Sequence, residues 1–271
     1  RGKFPDHINS QLQIGQNLRS FVVYLNTSHH IPYNRLTQII DDILNVKISE
    51  GIIDNILDIF HQQGIQIQNS ILQDIKKQNW TGSDETGTRV EGKTWWQWVW
   101  QNKIGSFYAI EPSRGYGVVK KYFGEDYTGA LIHDCRSAQN NTIAGGHQLC
   151  HPHLLRDLIF CMEIEKSKWA YEMKRLLLAS EKARDIIRRD GFDSDLRQKI
   201  IREYQNKPKQ FIQQSINGKE SQRLRKRFKK HQGKIFYFMN DPDIPYHNNS
   251  SERAIRNAKL HQKISGCCYG D

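Results

Sequence analysis

Gly82-Ser83-Asp84-Glu85-Thr86-Gly87 sets two carboxylates side by side between two glycines. Just downstream stand Trp95, Trp96, Trp98 and Trp100, a run too apolar for a loop, so the acids abut a buried strand. Carboxylates there cost free energy unless hydrogen bonds or a cation offset the lost water. A divalent cation held by oxygens is the usual solution. Alone, the six residues read equally as an acidic turn. Neighbours on a strand point to opposite faces, so only one of Asp84 and Glu85 can face a common site. Spacing alone does not say which.

Two more acids have comparable settings. Asp134 closes the apolar run Ala130-Leu131-Ile132-His133. Glu252 lies in Asn248-Asn249-Ser250-Ser251-Glu252-Arg253, which reads as a helix start. The acids are 50 and 118 residues apart. Two acids at strand ends and a third on a late helix form the pattern of a carboxylate triad binding two divalent metals. Between them comes Leu149-Cys150-His151-Pro152-His153-Leu154-Leu155-Arg156-Asp157, and after them Gln262-Lys263-Ile264-Ser265-Gly266-Cys267.

In this order the motifs resemble the transposases of the insertion-sequence 66 family, DDE transposases with an RNase H-like core. The resemblance covers most of the chain, including Phe4-Pro5 and Ile31-Pro32-Tyr33-Asn34-Arg35, and is weakest over 166–230. It implies Asp84, Asp134 and Glu252 as catalytic residues and ligands of Mg²⁺ or Mn²⁺, selecting Asp84 over Glu85. It places Glu85, His133, His153 and Arg156 beside the site. It implies DNA as partner, both transposon ends and target, a homodimer on paired ends, and a nucleoid-associated place in a prokaryotic cytoplasm. A structure-specific nuclease of the same fold and a catalytically silent DNA-binding relative are the alternatives. Members often carry an N-terminal Cys-rich zinc module, which nothing in this chain matches.

Composition agrees with a folded chain that meets a polyanion. Hydrophobic residues are 37% and charged residues 25%, ordinary for a globular protein. No run approaches a membrane span, and the residues after Arg1 do not read as a signal peptide. Five cysteines make no even disulfide framework, which fits a reducing compartment. The net charge of +11 is uneven: residues 1–80 balance, whereas 219–234 hold eight Lys/Arg against Glu220. Arg223, Arg225, Lys226, Arg227, Lys229 and Lys230 are therefore candidate phosphate contacts, with a flexible basic linker as the other reading. Arg253 and Arg256 on the Glu252 helix either hold phosphates or form a solvated face.

The pattern along the chain predicts an α/β protein. Residues 1–78 form a helical N-terminal region, with Ser49 a candidate cap between two short helices. These read as a helix-turn-helix or as a hairpin packed on the core. Residues 79–165 form the first part of an RNase H-like mixed sheet flanked by helices. Strands fall at Thr94–Gln101, Ser106–Ile110, Thr128–Asp134 and His147–Cys150, helices at Ser113–Phe123 and 136–143. A helical insertion with the basic run spans 166–238, and 239–271 returns to the core with the third acid. The four tryptophans either stack bases or fill the core, and their alternation favours the core. Cys150-x-x-His153 invites zinc, but no second pair of ligands is correctly spaced.

Overall fold

The acidic strand and the tryptophan strand pair as neighbours. β1 (Trp80–Val90) turns through Glu91 and Gly92 into β2 (Lys93–Gln101). Both turn residues have positive φ, 49° and 74°, as a two-residue hairpin requires. β3 (Ser106–Glu111) completes an antiparallel meander. α4 (Tyr116–Phe123) then leads to β4 (Tyr127–His133), and α5 (Ser137–Asn140) to β5 (Ala144–Leu149). The strand order is β3-β2-β1-β4-β5, with β1, β4 and β5 parallel. In this computed structural model the described residues are 14–191, 194–213 and 216–266. Phe4-Pro5 and Cys267-Cys268 lie outside them.

The sheet is covered on both faces. Trp98 and Trp100 are fully buried and stacked, ring centroids 5.7 Å apart, under Val119 and Phe123 of α4. These two rings are core and not base-stacking platforms. Trp80, Ala130, Ile132 and Leu149 point the other way. They meet a helical layer of α6 (His151–Glu165), α7 (Lys168–Asp190), α8 (Ser194–Gln213) and α9 (Lys219–Lys230). The chain then passes through α10 (Gln232–Ile235) and a 3-10 turn, Tyr237–Met239, into α11 (Asn249–Ser265). Among the described residues, no helix is long and apolar enough to cross a membrane.

Two expectations change and one alternative falls away. Asp84 is not at a strand end but inside β1, because the β1–β2 hairpin continues to Val90 after the pairing with β4 stops at Gly82. The basic run is no flexible linker: Leu224 and Phe228 bury one face of α9. Glu165 fixes the start of that helix, accepting the Glu220 and Ser221 N–H groups at 2.8 Å. The N-terminal region holds α1 (Gln16–Thr27), α2 (Tyr33–Leu44) and α3 (Glu50–Lys76). Ser49 caps α3, accepting the Ile52 N–H. This helix is not short: its 27 residues span about 40 Å at 1.5 Å per residue. Its near end packs with Leu36 and Ile40, while Leu72 and Ile75 at the far end join the core under the tryptophans.

Candidate active site

The site follows from the register of the central parallel pair. Trp80 lies opposite Ala130 and Gly82 opposite Ile132. The pairing stops there: Asp84 lies two residues further along β1 and Asp134 is the first residue beyond β4, near enough for its charge to act on Asp84. Alternation puts Asp84 on the face of Trp80.

Glu85 goes to the opposite face, across from Trp98. Gln139 Nε2 donates to its carboxylate at 2.6 Å, and Arg114 pairs with it at 2.8 Å. Arg136 links the two faces at the strand ends, 2.8 Å from Asp134 Oδ2 and 3.2 Å from Glu85 Oε1. Burial still pushes the Glu85 carboxyl upward against these partners.

Glu252 arrives on the first turn of α11. Asn248 Nδ2 donates to the Ser83 carbonyl at 2.8 Å, which fixes the helix start against β1. Gly82 permits that approach, since a Cβ there would collide with Ser251 Oγ and Asn248 Oδ1. The neighbouring acids act on Asp84 through their charges. Asp84 is pushed up to about 7, by burial first and then by the charges of Glu85, Asp134 and Glu252, against a hydrogen bond from the Glu85 N–H. Carboxylate oxygens near one another in a buried setting suit a hard divalent cation.

Glu252 also leans toward α6. Its Oε1 lies 3.7 Å from His153 Nδ1, too far for a hydrogen bond, and both buried atoms lack a hydrogen-bond partner. Cys150 Sγ completes a group whose ligand atoms all lie within 4.8 Å of one another. Among the described residues it is the one such group of three, so the three acids are not drawn equally tight. Burial lifts the Cys150 thiol to about 12 and holds His153 below the ordinary imidazole range.

Other predicted neighbours fall differently. His133 turns into the core, bonded to the Asp134 carbonyl and lying 3.1 Å from His147 Nδ1. Burial lowers it to about 3, so it is a neutral structural group. Arg156 is exposed and lines a cleft of about 210 Å³ with Asp134, Arg136, Cys150, His153 and Arg227. Arg227 is tied to Asp157 and half-buried. Lys226, Lys229 and Lys230 are exposed on α9, as is Arg223 beside Glu220 at 3.6 Å, and Arg225 is half-buried. Arg253 and Arg256 are exposed on α11. The guanidinium groups that pair with the central acids are Arg114 and Arg136, which no motif announced; position 136, two past Asp134, was the available signal.

A five-stranded mixed sheet in this order, flanked by helices, defines an RNase H-like core. The family profile described as Transposase IS66 family matches residues 11–271, and the chain belongs to that family. Comparison with curated proteins gave no match. Membership brings transposition as the general activity and divalent metals as the usual cofactor class.

Proposed function

We propose that this chain cuts DNA at the ends of an insertion sequence and joins the freed ends to target DNA, using Asp84, Asp134 and Glu252. What supports the reading is that Asp84 follows the last β1–β4 pair by two residues, Asp134 follows β4 directly, and the Glu252 turn docks on Gly82. Asp84 and Asp134 would hold Mg²⁺ or Mn²⁺, with Glu252 as the third ligand. Such ions, when bound, activate the attacking oxygen and stabilise the leaving oxygen of a phosphodiester.

The chain's own groups prepare that chemistry. Arg136 holds Asp134 in position by a 2.8 Å hydrogen bond. Asp84, raised to about 7, would give up its proton to bind such an ion. The starts of α6 and α11 converge on the site, and their positive dipole ends favour its negative charge. Arg156 and the exposed lysines of α9 would guide the DNA backbone through the adjacent cleft. Residues 79–165 and 239–271 serve as the catalytic core, 166–238 as a DNA-tracking insertion and 1–78 as a helical accessory region. A homodimer on paired ends is the assembly this reading favours.

The test is a strand-transfer assay with the full chain, Mg²⁺ and DNA carrying the element's ends. Nicked and then joined products are expected. Nicks without joining would leave a nuclease, and binding without nicks a silent relative.

A further inference from the structure

We infer that Cys150, His153 and Glu252 form a second metal site, which takes one borderline divalent cation of the zinc class. The sequence argued against zinc at Cys150-x-x-His153 because no second pair of ligands is spaced for it. The fold supplies a third ligand 99 residues after His153, on another helix.

The local structure explains the convergence. Cys150 is the residue that starts α6, and His153 lies in its first turn, so the two side chains share one side of that helix end. The Cys150 N–H donates to the His133 carbonyl at 2.9 Å, which fixes the start of α6 against β4. Glu252 comes from the first turn of α11, set by the contacts at Gly82 and Ser83.

The donor set and its spacing fit zinc better than magnesium. A thiol, an imidazole and a carboxylate are the ligand types of zinc, and three of them with an open position make a site of the catalytic kind. Magnesium calls for oxygens alone. Ligands about 2.1 Å from a tetrahedral centre stand about 3.4 Å apart. His153 Nδ1 and Glu252 Oε1 are at 3.7 Å, a few tenths of an ångström from closure. Both atoms are buried and otherwise unsatisfied, a costly arrangement that a cation between them would relieve. The Asn248 N–H donates to Cys150 Sγ at 3.3 Å, the kind of contact that supports a ligating sulfur. The open position faces the cleft, since Cys150 and His153 line it. Binding takes one proton from the Cys150 thiol to solvent. Glu252 would serve this site or the proposed nuclease centre at any one time, not both.

Cobalt(II) is a coloured probe for such a site. The full chain titrated with Co²⁺ should show tetrahedral visible bands and a near-ultraviolet sulfur-to-cobalt band, saturating at one equivalent and erased by Zn²⁺. Cys150→Ser should lose the sulfur band. His153→Ala, at a half-exposed position, should weaken Zn²⁺ binding about tenfold or more while keeping the wild-type circular dichroism spectrum. Asp84→Asn should leave the bands unchanged, which separates this site from the proposed nuclease centre. Cys135→Ser, in the same cleft, should also leave them unchanged. If Cys150→Ser fails to fold, the His153 variant decides. The inference is overturned if the folded wild type shows no sulfur band, if that band survives Cys150→Ser, or if His153→Ala binds Zn²⁺ as tightly as wild type.

Discussion

Asp84 titrates near 7 because burial and the charges of Glu85, Asp134 and Glu252 act on it together. Its folded pKa lies above the unfolded one, so the folded state binds the extra proton and stability falls as pH rises from about 4 through 7. Without divalent metal, Asp84→Asn should therefore melt higher than wild type at pH 8, by about 2 kcal/mol once partial exposure is allowed for. The two should converge at pH 4, as a calorimetric series can show. In Mg²⁺ the same variant should lose DNA cleavage. Glu85→Gln should behave oppositely, retaining cleavage but losing about 1–3 kcal/mol, because Arg114 and Arg136 lose their charged partner. A denaturant melt of each variant separates the two roles. Alternation made it legible that only one of these acids faces the site. Which one depends on the register with β4, a long-range pairing that no local pattern records. Arg114 was illegible for the same reason, since it gains its role only in the folded chain, whereas Arg136 was hinted at only by its place two residues past Asp134.

At the scale of elements, Gly82 governs how α11 meets β1. Gly82→Ala should cost about 1–3 kcal/mol by overpacking and should lower cleavage as Glu252 is displaced. A thermal melt with an activity assay would show both losses together, whereas stability loss with normal cleavage would place Glu252 outside the chemistry. Helix α9 makes a separate prediction. Its buried Leu224 and Phe228 direct Lys226, Lys229 and Lys230 outward. Changing these three lysines to Gln should flatten the log–log salt dependence of DNA affinity by about two to three units. A filter-binding series across ionic strength measures that slope, and an unchanged slope would mean the lysines do not touch phosphate. β2 to β5 were readable because alternation and apolar content are strong local signals, whereas β1, with its glycines, threonines and two acids, was given no bounds. The length of α3 was not, because its apolar residues change partners midway, from the N-terminal helices to the sheet.

Over the whole molecule, charge and architecture divide the work. The positive excess gathers on α9 beside the cleft, while residues 1–80 carry none. The N-terminal helices are nevertheless tied to the site element, since His30 Nε2 lies 2.8 Å from Asn257 Oδ1 on α11. The order of motifs, through the family resemblance it carries, was enough to foresee the RNase H-like sheet. The approach of Glu252 to Cys150 and His153 was not foreseeable, because it depends on how two helix starts converge in space. The central claim is that Asp84 and Asp134 share a divalent ion. Anomalous diffraction from crystals soaked in Mn²⁺ tests it most directly. The account predicts a manganese peak within about 2.5 Å of oxygens from both Asp84 and Asp134, absent in Asp84→Asn. A well-ordered site with manganese bound elsewhere, or none between these carboxylates, would contradict it.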